Sequence, residues 1–171
     1  MYQPTQDQIE LIEAAHVILS DERFDKQLYG QDLRGILADA GRRGFLTVLQ
    51  RQKLEKQRDV YGKIRRLNES YDEEFRQRAF TALTSAIEFL NTRFSGLSVV
   101  NMMKKARQIE QGKYFSRVHF EAAHYFLSEE IELVELGCDG QESYSKDELS
   151  TLVAELVELM ELTDIGEDQD E

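Results

Sequence analysis

Apolar residues recur at spacings of three and four along most of this chain, the repeat expected of helices that each bury one side. Leu11, Ala14, Ala15, Ile18 and Leu19, joined by Ile12, form one broad stripe and predict a first helix ending near Ser20. Ahead of it, Pro4-Thr5-Gln6-Asp7-Gln8 reads as a helix start, with Thr5 capping the first-turn amides and Gln8 reaching back to the cap's own N–H. Leu33, Ile36, Leu37 and Ala40 predict a short helix between Gly30 and Gly41. From Gly44 to Asn68 the reading is one long helix, in which Leu54 is the lone apolar residue from Gln50 to Asp59. Its middle is therefore expected to face solvent or a partner.

Ser70-Tyr71-Asp72-Glu73 repeats the capping pattern and opens a helix through Phe94, with Phe75, Ala79, Ala82, Leu83, Ala86, Ile87, Leu90 and Phe94 on its inner face. Ser98 is expected to cap a short helix ending near Gly112. A further helix runs from Phe115 to Leu136, where Gly137 suits a left-handed stop. Cys138 to Tyr144 reads as a loop, and Ser145-Lys146-Asp147-Glu148 as the start of a last helix with Leu149, Leu152, Leu156 and Leu159 on one side. Nothing alternates with the period of a strand. The reading is all-α: a single compact bundle of six to seven helices over residues 1–163, followed by a disordered acidic tail over 164–171.

Composition agrees with helix. Pro4 is the single proline, so nothing after it forbids helix by removing a backbone donor. The single cysteine, Cys138, has no partner for an internal disulfide, which favours a cytoplasmic setting. Residues 1–8 are polar and do not read as a leader, and no run approaches the 18 or so apolar residues of a membrane span.

Charge changes the picture more than composition does. The total of −12 divides into −5 over 1–41, +7 over 42–66, −2 over 67–103, +4 over 104–117 and −16 over 118–171. The basic segment carries Arg42, Arg43, Arg51, Lys53, Lys56, Arg58, Lys63, Arg65 and Arg66 against Glu55 and Asp59. Such a run can track a phosphate backbone. Against that, Tyr61 is the one aromatic between Phe45 and Tyr71, so stacking platforms for single strands are sparse, and the C-terminal third would repel nucleic acid.

A near repeat sets Glu13-Ala14-Ala15-His16 beside Glu121-Ala122-Ala123-His124, each continuing into an acidic stretch. Paired Glu-x-x-His motifs resemble those of ferritin-like di-metal bundles, which implies inward-pointing ligands on facing helices. At roughly 100° per residue, Glu13 and Glu121 instead fall opposite their helices' apolar faces, and Glu88, the candidate bridging carboxylate, falls on a polar side. No metal or cofactor is expected. Ile12 to Asp21, with Tyr29-Gly30, is similar to the third helix and following turn of a chaperone J domain. That resemblance spans 19 of the 171 residues and lacks the His-Pro-Asp triplet, so it implies no co-chaperone activity. His119 lies on the axis of its helix's apolar face and reads as a hydrogen-bonded core histidine. No phosphate loop, dinucleotide fingerprint, nucleophile elbow or paired-cysteine metal motif occurs.

The function expected from these features is non-catalytic: an adaptor, regulator or inhibitor that binds another protein through the basic helix 42–66, the nine cations above forming the site, and through the acidic surface from 145 onward. An acidic helical surface of this kind can also occupy a nucleic-acid-binding cleft by mimicking phosphates. A nucleic-acid accessory role for the basic helix ranks second, and a di-metal protein third.

Overall fold

The computed structural model describes residues 3–30, 32–91, 96–135 and 146–166. The protein is all-α. Its seven helices are α1 (Gln6–Ser20), α2 (Leu33–Arg43), α3 (Val48–Glu69), α4 (Glu73–Asn91), α5 (Leu97–Glu110), α6 (Val118–Glu135) and α7 (Lys146–Leu162), with no strand among the described residues. They fall into two compact units, Met1–Glu69 and Ser70–Glu171.

In the first unit, α1 buries Gln8, Leu11, Ala15 and Ile18, and α3 buries Leu54, Gln57, Tyr61, Ile64 and Asn68. Both sets step by three and four, so each helix offers a narrow seam of the kind that packs helix against helix. Arg51 lies 3.8 Å from Asp7 near both helix starts, and the Tyr61 hydroxyl donates to Asp21 at 2.7 Å further along, so α1 and α3 run in the same direction. Phe24 packs edge-on to Tyr61 and stacks on Tyr29, closing the end of the seam.

The long helix expected over 44–68 is shorter than that. Gly44 adopts φ 79° as the C-cap of α2, a left-handed conformation that costs glycine nothing, and its N–H returns to the Ala40 carbonyl. Arg42 and Arg43 therefore end α2 and do not belong to α3. A reciprocal cap then opens α3: the Gln50 N–H donates to Thr47 Oγ1 and the Thr47 N–H to Gln50 Oε1. Nor is the middle of α3 bare, because Leu54 and Gln57 are both buried there.

Other caps differ from expectation as well. Thr5 accepts from the Gln8 N–H as foreseen, but the Gln8 side chain is buried with the α1 seam. Asp72, not Ser70, caps α4 through the Phe75 N–H at 2.8 Å. Ser98 sits inside the first turn of α5, which follows Gly96 with no side-chain cap. The expected roles of Phe94, Gly137, the Cys138 loop and Ser145 lie outside the described residues, as does the tail after 166.

The second unit holds one large apolar core, in which Leu83, Ala86 and Leu90 of α4 meet Phe120, Ala123 and Leu127 of α6 and Leu149, Leu156 and Leu159 of α7. Tyr71, Phe75 and Phe115 cluster at one end, with the Arg76 guanidinium 5.3 Å above the Phe115 ring. The end of α7 is tied down: the Thr163 carbonyl accepts from the Arg117 N–H, and Asp164 pairs with the Arg117 side chain at 3.1 Å.

Candidate functional site

The nine cations of the sequence segment divide between two helices. Arg42 and Arg43 both reach Asp39 one turn back, and Gln50 donates to the same carboxylate at 2.7 Å. The Gln50 hydrogen bond, with Arg43 and Arg42 beside it, holds Asp39 below its ordinary pKa against the opposing effect of partial burial. These two arginines serve the α2 to α3 turn at least as much as any partner.

On α3 the cations flank the buried seam and spread over the outer face; they do not form one stripe. Arg51, Arg58 and Arg65, seven residues apart, line one edge of the seam, and Lys53 lies at the other. Lys56, Lys63 and Arg66 lie further out, with Lys63 half-buried and the other six α3 cations exposed. Arg51 pairs with Glu55 at 3.2 Å and Arg65 with Glu69 at 2.9 Å, each one turn on. Lys53, Lys56, Arg58 and Arg66 make no ion pair among the described residues. Their charge is available to a partner.

Sequence reasoning missed two neighbours of this basic face. Val48 and Leu49 open α3 at 76% and 60% exposure, and Phe45 just before them is 36% exposed. The seam supplies the missing signal: extended backwards by four and three from Leu54, it passes through Gln50 and Thr47, so Val48 and Leu49 fall off the buried side. An apolar knob thus stands beside Arg51 and Lys53.

The second unit carries the acidity: Ser70 to Glu171 holds 22 carboxylate and 9 basic side chains, against 11 and 12 in the first unit. Asp147, Glu148, Glu158 and Glu161 are exposed on α7, and Glu121, Glu129 and Glu132 on α6. The Tyr125 phenol is pushed up by its hydrogen bond to Glu129 and by that carboxylate's charge.

The two Glu-x-x-His motifs point as their helical phase requires. Glu13, His16 and Glu121 are exposed, His124 is half-buried, and Glu88 is exposed on α4. What the repeats share is a packing side: Ala15 and Ala123 are each almost fully buried. Among the described residues no group of three or more His, Cys, Asp or Glu side chains is placed to hold a metal ion. His119 is fully buried, and its Nδ1 accepts from the Ser116 N–H at 3.2 Å. It holds the turn into α6.

No helix among the described residues is long and apolar enough to cross a membrane. No protein-family model, curated protein or solved structure matches the chain.

Proposed function

We propose that the chain is a non-catalytic protein-interaction module of the cytoplasm that docks an acidic protein partner on the outer face of α3. The observation that carries this reading is an exposed apolar knob, Val48 and Leu49, one turn from the exposed Arg51 and Lys53, with Lys53 and Lys56 making no ion pair among the described residues. Apolar and cationic groups side by side suit a protein interface, whose energy comes from a few desolvated anchors framed by charge. A phosphate backbone rewards cations and offers Val48 and Leu49 nothing to pack against. Because the buried seam of α3 carries its packing, charge reversal at the exposed Arg51, Lys53, Lys56 and Arg58 leaves the packed side of the helix untouched.

Affinity capture from the native host, with the wild type, the Arg51→Glu/Lys53→Glu/Lys56→Glu/Arg58→Glu variant and a Val48→Ser/Leu49→Ser variant, tests the reading. Both variants are expected to keep the wild-type helical spectrum and to lose a stoichiometric protein partner. Affinity for duplex or single-stranded nucleic acid, falling steeply with log salt and abolished by the charge reversal alone, would replace it with the nucleic-acid role.

A further inference from the structure

On the second unit, α4 and α7 frame an open groove of about 1030 Å³. Its lining runs from Glu74 to Phe89 on α4 and from Asp147 to Glu155 on α7. The Arg78–Glu155 pair crosses from one helix to the other, so the open stretch beyond it, Thr81 to Phe89 against Asp147 to Leu152, follows about two turns, or about 12 Å at 1.5 Å per residue. The floor is apolar and lies low: Ala82, Phe89 and Leu149 are buried and Leu152 is half-buried. Thr81, Ser85 and Thr151 keep the walls short, which lets another backbone come close. The rim is acidic, formed by Glu74, Glu88, Asp147, Glu148 and Glu155. The one cation in the lining, Arg78, is committed to Glu155 and Glu158. Glu74, Glu88 and Asp147 make no ion pair among the described residues.

We infer that this groove binds a cationic amphipathic helix of another protein, its apolar side on Ala82, Phe89, Leu149 and Leu152 and its lysines or arginines against the rim carboxylates. Shape favours a helix over a small molecule. The groove is an open trough whose lining has no convergent set of buried polar groups to orient a compact ligand, whereas two turns of a helix laid lengthwise match its apolar floor. Charge decides the sign of the occupant. The rim is acidic along both walls and the whole unit is negative, so an anionic helix meets repulsion at both edges. This site belongs to the second unit alone and does not depend on the α3 reading.

The test uses the full chain and a fluorescent synthetic helix of leucine and lysine, about 14 residues long so that it holds its helix in water, with a leucine and glutamate helix of the same pattern as its counterpart. The lysine helix is expected to bind and the glutamate helix not to. Ser85→Trp, which fills the trough from an exposed position, and Glu88→Lys/Asp147→Lys, which reverses the rim, are each expected to weaken binding at least tenfold with the helical spectrum unchanged. Glu132→Lys, an exposed carboxylate on α6 outside the groove, is expected to leave binding within about twofold, because one remote exposed charge is largely screened. Binding unaffected by both groove variants, or weakened as much by Glu132→Lys as by them, overturns the proposal in favour of diffuse attraction to an acidic surface. Sedimentation showing a wild-type dimer that Ser85→Trp makes monomeric also overturns it, because the occupant is then a second copy of this chain.

Discussion

Arg78 and Glu155 hold each other in a two-pronged pair between α4 and α7, Nε to Oε1 at 2.5 Å and Nη2 to Oε2 at 2.9 Å, with Glu158 2.9 Å from the same guanidinium. Planar guanidinium and planar carboxylate match in this geometry, so the pair fixes the register of the two helices as well as joining them. The Arg78 hydrogen bonds hold Glu155 below its ordinary pKa of 4.5, with burial acting the other way.

That depression sets a pH dependence. A carboxyl with a lowered folded pKa binds fewer protons folded than unfolded, so its stabilisation is full above the unfolded value of 4.5 and is lost as pH falls through the folded one. Both side chains are about one third exposed, which limits the pair to about 0.5–1 kcal/mol. Urea denaturation of the wild type is expected to show a midpoint that drops below pH 4.5, and Glu155→Gln a lower midpoint at neutral pH with a shallower acid limb. Identical acid limbs would mean that the pair contributes nothing to folding.

His119→Ala removes the acceptor of the Ser116 N–H and leaves a void in the core, so a loss of about 1–3 kcal/mol is expected. His16→Ala, at an exposed position, is expected to cost under about 0.5 kcal/mol. Equal small effects in chemical denaturation would contradict the burial of His119.

Two glycines three residues apart are expected to respond with opposite sign. Gly44→Ala places a side chain at φ 79°, where open space removes any clash and leaves only the conformational penalty, about 1 kcal/mol. Gly41→Ala adds a methyl inside α2 with nothing within 4 Å and is expected to stabilise by about 0.5–1 kcal/mol. Thermal midpoints that move in the same direction would place the end of α2 elsewhere.

Much of the fold was legible in the chain because helical periodicity is a local property. The stripes of α1, α4 and α7, the buried phase of His119 and the outward phase of Glu13 and Glu121 all follow from about 100° of rotation per residue, whatever the helices pack against. The α3 boundary was carried by local signals that a single long helix overlooks: Gly44, Phe45, Thr47 and Val48 are weak helix formers, Gly44 takes the left-handed stop of α2, and Thr47 to Gln50 has the spacing of a capping box. The basic site was legible as a list of residues and not as an arrangement.

Sequence by itself determined that the protein is helical, which side of each strongly patterned helix is buried, and that positive and negative charge sit in different stretches, since propensity, periodicity and charge are carried by near neighbours in the chain. Tertiary structure decided what those faces meet. Gln57, polar and unremarked in the sequence, is buried because the seam of α3 needs a residue there; Arg78 is tied to Glu155, 77 positions away; and Val48 and Leu49 are left exposed because that same seam turns away from them. A contact between residues far apart in the chain, such as Arg78 with Glu155, leaves no periodic trace, so only packing reveals which cations are already paired and which of the possible helix faces meets a neighbour.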